Sequence, residues 1–219
     1  PAWIETNKYY VGGAGVGLVL LVVAGLLIRA RYMAYKAEQE ALIPPKVNIP
    51  ITPFDYSTRI NQIIQDTCTI INANCNTVGV FRVTDLESKA IGIVKSYKTD
   101  GYAIPPGSDV HLAVSVLKKA LAELKEPFLD INKVIALGEQ DSIPPSAVLK
   151  LVTKSANQAG WEQVLEAICN VADSSTSQMN AQTIALSFGM SLMGGKTNTA
   201  AISALGRLGV ILEAYVKSK

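Results

Sequence analysis

The chain has 219 residues, 49% of them apolar and only 17% charged, with a formal net charge of +2. That length holds one domain of ordinary size plus a short extra segment, and the composition excludes a disordered chain. The small charge leaves no footprint for a nucleic-acid partner, and three cysteines with one histidine form neither a disulfide scaffold nor a zinc site.

From Tyr9 to Ile28 run twenty residues without a charge, YYVGGAGVGLVLLVVAGLLI. A helix of that length covers about 30 Å, the hydrocarbon thickness of a bilayer. Trp3, Tyr9 and Tyr10 stand at one end and Tyr32 and Tyr35 at the other, as interfacial aromatics do. Arg29, Arg31 and Lys36 follow the segment, which predicts a single-pass anchor with the C-terminal bulk on the inner side of the membrane: cytoplasm, matrix or stroma. A signal peptide carries its charge before the apolar run, not after it. The opening at Pro1 rather than Met points to a removed initiator Met or longer targeting sequence. Gly13 and Gly17 share one face of this helix, at the spacing that lets a second transmembrane helix approach closely. The expected partners of the segment are therefore the lipid bilayer and other transmembrane helices.

The helix is expected to run on through residues 29–42 and to stop at Pro44-Pro45. Residues 43–53, IPPKVNIPITP, hold four prolines in eleven positions and read as an extended spacer. The predicted organisation is an N-terminal segment over 1–43, a Pro-rich linker over 44–54, and a helical domain over 55–219.

In that domain the apolar residues recur with helical period. Ile60, Ile63, Ile64, Cys68, Ile70 and Ile71 make one face. Leu112, Val116, Leu117, Leu121 and Leu124 make a second. Trp161, Leu165, Ile168 and Ala172 make a third, and Ile202, Leu205, Leu208, Leu212 and Tyr215 a fourth. Breaks are expected at Gly101, Pro105-Pro106-Gly107, Pro127, Pro144-Pro145, Gly160 and Gly194-Gly195. Alternating strands are absent, so the fold class is all-α with one core. Cys68 and Cys75 on one helix would lie two turns apart, about 10 Å, too far to bridge. Cys68, Cys75 and Cys169 are read as structural thiols, and His111 as a hydrogen-bonded turn histidine where a helix begins.

These residues resemble a known family. Gly79-Val80-Phe81-Arg82-Val83 is similar to the loop that opens the RhoGAP catalytic site. The run from Asp109 to Lys118, DVHLAVSVLK, resembles the family's Asp-Val-His…Leu-Leu-Lys helix and continues into Leu121, Glu123-Leu124 and Glu126-Pro127-Phe128-Leu129. Met179-Asn180-Ala181, Ala185 and Phe188-Gly189 resemble the family's Met-Thr-Ala…Phe-Gly segment. The motifs keep their order over roughly 55–217. The resemblance implies a GTPase-activating fold in which Arg82 is the arginine finger and Lys118 supports the finger loop and the GTPase contact. Such a finger offsets charge on the transferring phosphoryl group and is worth about 10³–10⁵ in rate.

The sequence also departs from the family. Ala122 stands where the family has a second arginine, and Thr183 where it has the asparagine that contacts the GTPase. Met190-Ser191 replaces Pro-Asn, and Thr84-Asp85 replaces Ser-Gly, setting a carboxylate three residues from Arg82. The leading reading of Arg82 is nonetheless a structural or interface residue, capping a helix or pairing with Asp85. Gly194-Gly195-Lys196-Thr197 resembles the tail of a P-loop, but Met190 occupies the position that needs glycine. No metal or organic cofactor is expected. The leading expectation is an accessory subunit of a larger membrane assembly, on the mitochondrial inner membrane for preference. There a degenerate RhoGAP-like domain would serve as a packing module, with Gly13, Gly17 and Thr183 at partner contacts. The alternative is a membrane-tethered activator of a Rho-type small GTPase, using Arg82 and Lys118.

Overall fold

The computed structural model describes residues 29–31, 33, 56–82, 87–99, 103–195 and 199–219. The chain divides into two compact units, Pro1–Lys46 and Val47–Lys219. Of the first unit, residues 29–31 and 33 are helical and exposed. The anchor expected over 9–28, its Gly13 and Gly17, and the linker over 44–54 lie outside the described residues.

In the second unit α1 (Tyr56–Ala73), α2 (Glu87–Thr99), α3 (Val110–Ala122), α4 (Ile131–Gly138) and the single turn α5 (Pro145–Val148) are followed by a 3₁₀ turn (Ser155–Asn157), α6 (Gln158–Asp173), α7 (Ala181–Leu192) and α8 (Thr199–Lys217). The only β feature among the described residues is an isolated antiparallel bridge between Leu129 and Val152. The domain is all-α.

Helix α3 is central. It packs against α1, α2 and α7, and Val110, Ala113, Val114, Val116, Leu117, Ala120 and Leu121 are all buried. A helix apolar nearly all round has to be covered on several sides. Its start is fixed by Asp109, whose carboxylate accepts from the backbone N–H groups of His111 (2.8 Å) and Leu112 (3.2 Å). The face read on α1 is buried throughout, from Ile60 to Ile71. On α6, Trp161, Leu165 and Ile168 are fully buried, and the Trp161 indole N–H donates to the Val148 carbonyl at 2.8 Å.

Several expectations are corrected. Gly160 breaks no helix. It lies inside α6 because a Cβ there would come within 2.9 Å of Asn61 Oδ1 and 3.0 Å of Ile64 Cδ1, so glycine permits the close crossing of α1. Cys75 lies beyond the end of α1 rather than on it, and all three thiols are free. Burial pushes the Cys68 thiol up to about 12. Ile202 is 61% exposed, because the buried positions of α8 are Ala201, Ala204, Leu208, Gly209, Ile211, Leu212 and Tyr215. Among the described residues α8 is the one helix long and apolar enough to cross a membrane, with a mean hydropathy of 1.4. It is amphipathic in place and packs on α7 and α4.

Candidate functional site

The turn at residues 79–82 is built from its backbone outward. Gly79 has φ of 68°, a left-handed conformation that side chains disfavour. The Arg82 N–H then closes the turn on the Gly79 carbonyl at 2.8 Å. Val80 and Phe81 point inward and are fully buried, and the Phe81 ring stacks at a tilt on Phe188, centroids 5.1 Å apart. With two adjacent side chains inward, Arg82 is left on the outside. It is exposed and forms no ion pair among the described residues. Thr84 and Asp85, its expected neighbours, lie outside the described residues.

Two further contacts fix the turn. Lys118, half-buried on α3, donates from Nζ to the Phe81 carbonyl at 2.5 Å. Burial without a carboxylate partner lowers this lysine to about 8. From the other side, the Gly79 N–H donates to the Ser177 carbonyl at 2.8 Å. Ser177 itself is fully buried; its hydroxyl donates to the Val171 carbonyl (2.7 Å) and accepts from the Met179 N–H (3.1 Å). Thr176 Oγ1 donates to the Asn76 carbonyl (2.9 Å), and the Ser174 hydroxyl donates to Asn76 Oδ1 (2.8 Å). The α6–α7 loop thus staples the chain just before the turn.

Arg82 faces a shallow groove of about 300 Å³ that it shares with Gln178, Met179, Thr183, Leu186 and Ser187. Leu186 is 63% exposed, and Val78, just before the turn, is 48% exposed. Arg82, Lys118 and Thr183 are therefore brought to one place: Lys118 beneath the turn, Thr183 across the groove. Thr183 is engaged within its own helix. Its hydroxyl accepts from the Asn180 N–H and donates to the Asn180 carbonyl, both at 2.9 Å, while Asn180 Oδ1 caps the Thr183 N–H at 2.8 Å. Ala122, where the resemblance leads one to look for a second arginine, lies against the left-handed turn that follows α7. A Cβ on Gly195 would sit 3.2 Å from Ala122 Cβ. Met190 joins the same turn through its carbonyl, which accepts from the Gly195 N–H at 2.8 Å.

The histidine differs from expectation. The His111 backbone is capped by Asp109, but its ring Nδ1 is buried without a hydrogen-bond partner. No group of three or more His, Cys, Asp or Glu side chains able to hold a metal occurs among the described residues. Ser177, Gln178 and Leu186 were not legible as site residues, since no motif or period singles them out. Only their nearness to Met179 in the family-like segment points that way.

The RhoGAP domain family model matches residues 61–197. Among solved structures, the BH domain from the GTPase regulator associated with focal adhesion kinase is similar with a TM-score of 0.60 at 18% identity, over 73% of this chain and 92% of its own. Human Rho GTPase activating protein 15 is similar with a TM-score of 0.58 at 17% identity, over 71% of this chain and 80% of its own. No curated protein matches the chain. Arg82 and Lys118 both fall within the matched span, and the chain belongs to the RhoGAP domain family.

Proposed function

We propose that the domain docks a Rho-type small GTPase and stimulates its GTP hydrolysis, with Arg82 as the arginine finger and Lys118 as the residue that positions it. The observation that carries this reading is an exposed arginine, without an ion pair among the described residues, on a turn held from both sides. A finger works only if its guanidinium reaches the phosphoryl oxygens without first paying to reorganise. Buried Phe81, the Lys118 bond to its carbonyl and the left-handed Gly79 supply that preorganisation. In the docked complex the guanidinium would offset charge growing on the transferring phosphoryl oxygens, while exposed Leu186 on the groove would help to exclude water. Single-turnover GTP hydrolysis on a panel of Rho-type GTPases tests the reading. Arg82→Ala should abolish the stimulation and leave the fold intact; an equal rate in the variant sinks it.

A second reading is a packing module in a membrane assembly, attached through the apolar segment 9–28. Ala122, which carries no guanidinium where the family has one, and Thr183, whose hydroxyl is committed to its own capping box, favour it, because neither offers a free polar group to a GTPase. Native sizing of the gently extracted protein separates the two. Migration within a large complex supports the packing module, whereas migration alone or with one small GTPase supports the activator.

A further inference from the structure

Gln178 is the one non-glycine residue among those described with a left-handed backbone, at φ of 55°. Such a conformation is disfavoured for an ordinary L-residue and persists only where neighbours impose it. The neighbours here do impose it. Ser177 is fully buried behind it with its hydroxyl bonded on both sides, and Met179 is buried ahead of it. The chain must turn between two anchored residues, and the Gln178 side chain is thereby held in the open, lining the groove beside Arg82.

The other neutral polar side chains of the groove are committed. Thr183 both gives and receives within its capping box, and the Ser187 hydroxyl donates to the carbonyls of Thr183 (2.8 Å) and Ile184 (3.3 Å). Gln178 forms no hydrogen bond among the described residues, which leaves an amide with both donor and acceptor available. A primary amide matches the donor–acceptor pair of a peptide unit. Leu186, exposed on the same groove, offers apolar surface to the side chain next along such a strand.

We infer that Gln178 is a partner-contact residue of the Arg82 groove, pairing its side-chain amide with a main-chain peptide group of the docked GTPase, whose adjacent apolar side chain rests on Leu186. The inference builds on the proposed GTPase docking and names the residue that secures it. The polar groups of the groove then divide the work: Arg82 reaches the nucleotide, and Gln178 sets the register of the protein segment beside it.

The test is an equilibrium titration of the full-length chain with a Rho-type GTPase loaded with a non-hydrolysable GTP analogue. Gln178→Ala removes the amide and keeps the strained backbone; Gln178→Gly removes both. Each should weaken binding about fivefold, the loss expected for one good hydrogen bond. The Gln178→Gly protein should meanwhile melt at a higher temperature, which shows that weaker binding is not misfolding. Wild-type affinity in both variants would overturn the role of Gln178 while leaving GTPase docking in place. Absence of binding by the wild-type chain across the panel would overturn the docking itself, and this inference with it.

Discussion

Ser177→Ala is the most informative perturbation of the scaffold behind Arg82. The Ser177 hydroxyl is fully buried and bridges the Val171 carbonyl, at the end of α6, to the Met179 N–H just before α7. Alanine fits the space but strands a buried donor outright and deprives a carbonyl of one partner. Each buried polar group left unpaired costs about 1–3 kcal/mol; with the donor counted in full and the carbonyl in part, the loss comes to about 2 kcal/mol. For a domain of this size each kcal/mol moves the midpoint by roughly 2–4 °C, so Tm should fall by about 4–8 °C. The same change loosens the carbonyl that holds the Gly79 N–H, so exchange of that amide should speed up over wild type by a larger factor than exchange of the Trp161 indole N–H, which is anchored elsewhere. Circular-dichroism melting and hydrogen exchange read the two effects. A Tm within about 1 °C of wild type, with unchanged Gly79 exchange, would refute the idea that the α6–α7 loop holds the finger turn.

Two more perturbations follow from named contacts. Lys118 has a folded-state value of about 8 against the ordinary 10.5, so between those pH values the unfolded chain holds the proton and the folded chain does not. Unfolding then takes up protons, and stability rises with pH across that window. Stability of wild type measured relative to Lys118→Met should climb from pH 8 to 10.5, and a flat difference would contradict the burial of the charge. Gly138→Ala places a Cβ 2.6 Å from Arg207 Cβ and 3.2 Å from its Cα, so α4 and α8 must move apart. An overpacking loss of about 1–3 kcal/mol is expected in urea unfolding.

Legibility varied with the kind of signal. The α1 face and the α6 face were readable because one side of each helix meets the core continuously, so period and burial coincide. On α8 the pattern slipped at Ile202: the phase of that helix is set by Ala201 and Ala204, small residues that carry little hydrophobic weight. Gly160 looked like a stop because a glycine needed for helix crossing is indistinguishable, in sequence, from one that ends a helix. In the site, only family likeness points to Arg82 and Lys118. No spacing rule relates a lysine to a carbonyl 37 positions away. Thr183 shows the converse. Family likeness assigns it a partner contact and it does line the Arg82 groove, while its hydroxyl also completes the cap of its own helix, which that likeness does not signal. Gln178 carried no sequence signal at all, since its conformation is imposed by the burial of the residues either side of it.

The bonds around the finger turn close long stretches of chain. Lys118 reaches back 37 residues to Phe81, Thr176 reaches back 100 to Asn76, and Asn170 reaches back 98 to Asn72. Each of these bonds joins elements far apart in sequence, so it needs the helices that carry its two ends to be paired. The geometry of Arg82 is accordingly a property of the finished domain and not of its own segment. A peptide spanning the turn, or a fragment ending before α6, would carry the arginine without its aim.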